Sequence, residues 1–272
     1  MTNAPAAPVS NQIQEIRVDS ISGFAEALSS ITSEGFSFFR GQSSINRSLL
    51  PSLLRLDKFD NRAYSDTCDQ NFMIQFKSRA VSYLETVPND DWEWMLTAQH
   101  FGLPTRLLDW SQSALVGLFF AVEDDRYTYE NEEDVPVVWC LNPFELNAKA
   151  PFTIEDGILS FSQNSKAFIQ TGLEEFYGIG KRKERIVNPI AVIGPRSNNR
   201  INAQRGAFTL FPLNCQAMED YVDANRYLVK IIIDKDKKQL IKKQLFDMGI
   251  SKVSVYPELQ SISTDILYEY NS

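Results

Sequence analysis

Apolar residues first recur at helical spacing in "DSISGFAEALSSI", where Phe24, Ala27, Leu28 and Ile31 share a face behind Ser20, a side chain suited to cap the first turn. The compact run "GFSFFRG" predicts a phenylalanine-rich strand. In "NRAYSDTCDQNFMIQFKSRAVSYLETVP", Phe72, Met73, Phe76, Ala80 and Leu84 align on one side, which predicts a long helix stopped by Pro88. A second helix, "DDWEWMLTAQH", ends at the breaker "FGLPT". After "RLLDW", Ser111 is placed to cap a third helix, "QSALVGLFFAVED", apolar enough to sit in the core. Beyond it the period changes. "VPVVWCLN", "NPIAVIGP", "GAFTLFP" and "YLVKIIID" predict strands. "KDKKQLIKKQLFDMG" predicts a helix lined by Leu240, Ile241, Leu245 and Met248 and ended by Gly249. "SKVSVY" reads as one more strand, and Pro257 opens a short helix. From Pro143 to Arg185 the pattern weakens into loop and short helix. The expectation is an α+β fold: a helical N-terminal half packed on a twisted mixed sheet, in one domain over 13–272 behind a flexible segment at 1–12.

Composition narrows the class. Of 272 residues, 43% are hydrophobic and 12% aromatic, enough for an ordered core. The net charge of -8 gives no overall basic field for nucleic acid, so any such contact must use local patches. Cys68, Cys140 and Cys215 are widely spaced, and His100 is the only histidine. Neither a disulfide framework nor a multi-histidine metal centre fits, and no metal is expected. The apolar run Ala114 to Val122 is too short to span a bilayer, and the first residues lack a secretory pattern. These features predict a cytoplasmic protein with no membrane contact. The acid-rich "EDDRYTYENEED" reads as a solvated loop.

Four polar groups remain to be explained. Arg40 ends the "FSFF" run beside Gly41 and Gln42, with Arg47 and Arg55 following. "QHFGLPTRLLDW" brings His100, Thr105, Arg106 and Asp109 around a turn in which Gly102 suits a left-handed conformation. Arg106 and Asp109 read either as an ion pair pinning that turn, under Trp110, or as a pocket wall. "GPRSNNRINAQRGAF" carries Arg196, Arg200 and Arg205 among four amides, which is either an anion-binding loop or a solvated one. "KRKER" (181–185) is the most basic run, a solvated helix end or a phosphate contact. Neither a P-loop nor a dinucleotide-binding glycine fingerprint is present.

The blocks "FFRGQSSINRSLLPSLLR", "AQHFGLPTRLLDWSQSALVGLFFA", "RINAQRGAFTLF" and "FDMGISKVSVYPEL" resemble, in this order, the FRG domain family, named for the tripeptide found here as Phe39-Arg40-Gly41. FRG domains have been proposed as distant relatives of ADP-ribosyltransferases, and some are similar to toxins of anti-phage toxin-antitoxin systems that modify nucleic acid. The resemblance therefore implies an ADP-ribosyltransferase-like core and a defence effector using NAD. Its acceptor would be RNA or a host protein, and its partner an antitoxin or chaperone. It implies donor contacts from Arg40, Gly41, Gln42, His100, Thr105, Arg106 and Arg205. A guanidinium fork suits a pyrophosphate, and a late carboxylate would stabilise the oxocarbenium-like transition state. For that acid Glu258 comes first by position, though it could simply favour a helix dipole, and Glu123 second. The alternatives are an NAD glycohydrolase and a non-catalytic module binding a phosphorylated ligand. All of them expect Arg40 to share a pocket with "QHFGLPTRLLDW" and "RINAQRG".

Overall fold

In a computed structural model, which describes residues 12–56, 61–123, 134–154, 157–161, 172–185, 187–195 and 198–271, eight strands form one sheet. They are β1 (Gln14–Val18), β2 (Phe38–Gln42), β3 (Leu107–Ser111), β4 (Val137–Leu141), β5 (Leu159–Ser160), β6 (Ile190–Ile193), β7 (Gly206–Leu210) and β8 (Leu228–Ile233). Their order is β1-β8-β4-β2-β3-β7-β6-β5. The outer pairs β1–β8 and β5–β6 are parallel and the inner pairs antiparallel, so the sheet is mixed and the fold α+β, as the pattern predicts.

Because side chains alternate along a strand, the register sorts the sheet into two faces. On one, Phe38, Trp139, Leu141, Leu108 and Trp110 pack against the connecting segments that carry Leu49, Leu53, Phe211 and Tyr227. The other face carries two separate cores. Phe39, Val138, Cys140 and Ile231 lie under helices α1 (Ile21–Thr32) and α4 (Ala114–Val122) and the helix Lys238–Asp247. Leu107, Phe208, Leu210 and Val192 lie under Trp92, Met95 and Leu96 of α3 (Asp91–His100), the helix α2 (Cys68–Ala80) packing behind it. Between these cores β2 and β3 are joined by one register pair, Phe39 opposite Ser111, whereas β2–β4 and β3–β7 each have five. The sheet is splayed at this seam.

Local signals hold where periodicity is strong. The Ser20 side chain accepts from Gly23 N, and Phe24, Ala27 and Ile31 are buried. Gly102 and Gly249 take φ values of 85° and 82°, and Gly249 follows its helix as expected. Other expectations are corrected. "RLLDW" is strand β3, and Ser111 ends that strand without capping α4; its hydroxyl donates to Gln204 O (2.6 Å) and accepts from Ser113 N (2.9 Å). "SKVSVY" forms the helical turn Lys252–Val255, because Asp265 of the helix Leu259–Asn271 takes the N–H groups of Lys252 and Val253 at 3.0 Å each. That last helix runs for 13 residues. The long helix expected up to Pro88 stops at Ala80 and tightens over Val81–Tyr83. Leu240 and Met248 are exposed, leaving Ile241 and Leu245 as the buried stripe of their helix. The strand β1 is unheralded by its sequence. Among the described residues no helix is long and apolar enough to cross a membrane. Residues 1–11 of the expected flexible segment and most of the acid-rich loop lie outside the described residues, as does Arg196.

Candidate functional site

The seam in the sheet opens into a cavity of about 250 Å³. Its floor comes from one face of three strands: Phe39 and Gly41 of β2, Asp109 and Ser111 of β3, Gly206 and Phe208 of β7. Its walls are Leu96, Gln99 and His100 at the end of α3, Phe120 of α4, and Arg200, Ile201 and Gln204 of the short helix Asn199–Gln204. Three segments far apart in sequence therefore meet as expected: the strand ending in Arg40, the "QHFGLPTRLLDW" turn and the "RINAQRG" loop.

Arg40 lies where β2 and β3 part. Its Nη1 donates to the carbonyl of Asp109 (2.6 Å), standing in for a ladder hydrogen bond the splayed strands do not make. Its Nε is buried without a partner, and so is Nε2 of Gln204, another lining residue. Buried donors left open are rare enough to need an explanation, and an acceptor-rich ligand supplies one. Burial lowers the Arg40 pKa to about 10; the Asp109 carboxylate opposes that shift, while Arg55 and Arg47 add to it. The guanidinium remains charged at neutral pH, in a cluster of three arginines facing one carboxylate.

That carboxylate is anchored. Gln99 Nε2 donates to Asp109 Oδ1 (2.7 Å), and Gln99 Oε1 accepts in turn from the Thr105 hydroxyl. Asp109 is nevertheless exposed while Leu107, Leu108, Trp110 and Ser111 around it are buried, so the cavity is the opening it faces. Beside Gln99 at the end of α3, burial pushes the His100 pKa below its ordinary value; Arg200 adds to this and Glu258 opposes it. The ring is thus neutral at pH 7 and able both to donate and to accept.

Several expected site residues have other work. Arg106 is fully buried and forms no pair with Asp109. Its Nε meets Asp69 Oδ1 (3.0 Å), and its other nitrogens donate to the carbonyls of Phe211 (2.8 Å), Tyr177 (2.6 Å) and Gly178 (3.1 Å). Fully buried, with all three nitrogens engaged by the core, it ties α2, β3 and the segment after Tyr177 together and is not available to a ligand. Thr105 is buried in the Gln99 contact and also accepts from Leu107 N (3.2 Å). Gln42 is buried and accepts from Trp139 Nε1 (3.0 Å). Gly41 lines the cavity, but its missing side chain serves packing: a Cβ there would stand 1.9 Å from Gly117 O of α4. Arg205 is exposed outside the lining, in a left-handed conformation (φ 46°) that ends its helix.

Neither expected acid lines the cavity. Glu258 is exposed at its rim, near enough for its charge to act on His100. Glu123 lies behind Tyr256, binding Lys252 Nζ (2.6 Å) and the Tyr256 hydroxyl (3.2 Å) at a neighbouring hollow. The acid inside is Asp109. Sequence reasoning reached it only as a partner for Arg106; the signal for more was a carboxylate in mid-strand, where aspartate is disfavoured. The "KRKER" run is engaged locally, Lys183 with Glu175 and Arg182 with Asp66.

The FRG domain family model matches residues 36–130, so the chain carries an FRG domain over the stretch that holds β2, α2, α3, β3 and α4. Of the four blocks of resemblance, the first two fall inside this match; the third, with Arg200 and Gln204, completes the cavity from outside it. No curated protein and no solved structure matches the chain.

Proposed function

We propose that the cavity binds NAD and that the chain is an NAD-dependent ADP-ribosyltransferase acting on RNA or a protein. One observation carries this reading: a charged arginine with an open buried donor and an exposed carboxylate share one cavity. Arg40 would hold the pyrophosphate as a fixed fork. The bond between the ribose C1′ and the nicotinamide nitrogen would break with its electron pair leaving on nicotinamide. Asp109 would face the positive charge developing at C1′, and the acceptor would then attack that carbon and lose its proton. The cavity is smaller than a typical cofactor pocket, roughly 300–1,000 Å³, so part of a dinucleotide must extend beyond its rim.

The competing reading is a binding module without chemistry. It is favoured by the Gln99 bond to Asp109, which lets that carboxylate act simply as the counter-charge for Arg40 and Arg55. The test is incubation of the protein with labelled NAD, total RNA and cell lysate, beside Arg40→Ala and Asp109→Asn of verified fold. Label on RNA or protein with the wild type, lowered about a hundredfold by Asp109→Asn, supports the transferase. Free ADP-ribose alone points to a glycohydrolase. No turnover, with Arg40-dependent binding of ADP-ribose, establishes the binding module.

A further inference from the structure

Arg200 is the cavity residue that the fold holds in place without neutralising. Among the described residues no carboxylate and no hydrogen-bond acceptor engages its guanidinium; the contact it makes is with the Tyr256 ring, 4.9 Å from its centroid. Tyr256 is fixed in turn. Its hydroxyl donates to Glu123 Oε2 (3.2 Å), whose other oxygen takes Lys252 Nζ (2.6 Å), and its ring meets Phe120 edge-on at 5.9 Å. A half-buried guanidinium stacked on a clamped aromatic keeps its in-plane donors free for an anion.

This charge is separate from that of Arg40. The charges that act on Arg40 are those of Asp109, Arg55 and Arg47, whereas Arg200 acts on His100 and Tyr256. Arg40 on β2, Asp109 on β3 and Arg200 on the helix Asn199–Gln204 line the same cavity.

We propose that Arg200, presented by Tyr256, forms a second anion subsite in this cavity, so that the site takes a phosphate group in addition to the pyrophosphate at Arg40. An arginine set apart from the pyrophosphate contacts is the usual means of accepting the 2′-phosphate of NADP. The second phosphate would belong to the dinucleotide itself or to a separate molecule bound beside it. The inference rests on the nucleotide reading above but not on turnover.

The experiment has two arms, with Kd measured calorimetrically. The first compares NAD with NADP; the second titrates inorganic phosphate, followed by ³¹P NMR, in the presence of saturating NAD. Each uses wild type, Arg200→Ala, Tyr256→Ala and Tyr256→Phe, with melting temperatures as fold controls. If the phosphate belongs to the dinucleotide, NADP binds the wild type about tenfold more tightly than NAD. Arg200→Ala and Tyr256→Ala close that gap, and Tyr256→Phe, which keeps the ring, retains most of it. If it belongs to a separate molecule, NAD and NADP bind alike, and phosphate binds the NAD complex only where Arg200 and the Tyr256 ring are present. Arg200-independent results in both arms overturn the subsite, while Arg40-dependent NAD binding would still leave the nucleotide reading standing. Failure of the wild type to bind NAD, NADP or phosphate overturns both. NADP preference without turnover keeps the subsite and removes the transferase.

Discussion

Gly41→Ala separates packing from ligand approach at the tripeptide that names the domain. A Cβ on Gly41 would stand 1.9 Å from Gly117 O, 2.4 Å from Ala121 N and 2.9 Å from Phe120 C. All three are backbone atoms of α4, so no rotamer change relieves the contact. Helix and strand are in close contact from both sides, since a Cβ added at Gly117 would in turn stand 2.9 Å from Phe39 Cβ of β2. The strand and helix must separate across the core that holds Phe39, Val138 and Leu118. Overpacking by one methyl costs about 1–3 kcal/mol even where side chains can yield; with backbone on every side we expect about 3 kcal/mol or more. For a chain of this size that is a fall in Tm of roughly 6–12 °C, at about 2–4 °C per kcal/mol. Thermal and urea unfolding of the variant measure it directly. A variant melting within about 2 °C of wild type would refute the packing account. If that variant also lost NAD binding, Gly41 would return to the role the sequence suggested, as the point where a ligand meets the backbone.

Asp69→Asn should cost about 3–5 kcal/mol, because it leaves the Arg106 guanidinium buried without its counter-charge; an unchanged urea midpoint would sink that assignment. Glu219, whose two oxygens accept from Leu49 N at 3.0 and 3.1 Å, has its pKa raised above the ordinary 4.5, chiefly by burial. A raised folded-state value means stability that is complete below about 4.5 and lost as pH climbs through the folded pKa. Glu219→Gln should therefore stabilise the protein at pH 7, with an advantage that shrinks toward pH 4.5; an advantage that grows on acidification contradicts the sign. His100, neutral at pH 7, should gain its charge only below its ordinary value of 6.5. Affinity for ADP-ribose should then rise as pH falls from about 7 to 5, and the rise should vanish in His100→Gln; a pH-independent Kd in the wild type would remove the histidine from the site.

Local patterns were enough to read α1, α4, β4, β7 and β8, because each buries a face or a whole segment that its own period announces. The misread elements answer to distant partners. β1 is a half-exposed edge whose five pairs with β8 lie more than 200 residues away. "SKVSVY" alternates like a strand, yet an aspartate thirteen residues on caps it as a helix. The same limit governed the site. Arg106 and Asp109 stand three residues apart and carry opposite charge, so chain proximity suggests a pair; in the fold Arg106 meets Asp69, 37 residues back.

The register then explains why Asp109, not Glu258 or Glu123, is the acid of the cavity. Asp109 pairs with Phe208, and Ser111 with both Gly206 and Phe39, so these residues share one face of the sheet with Gly41. The two cores on that face stop short of each other there, and an aspartate can stand mid-strand only because neither covers it. A late glutamate is the natural choice by chain order alone. Chain order, however, carries no information about where two cores fail to meet. Arg40 was legible because a charge ending a phenylalanine run needs an outlet wherever the strand lies. Its acid was not, because that role follows from the single register pair joining β2 to β3.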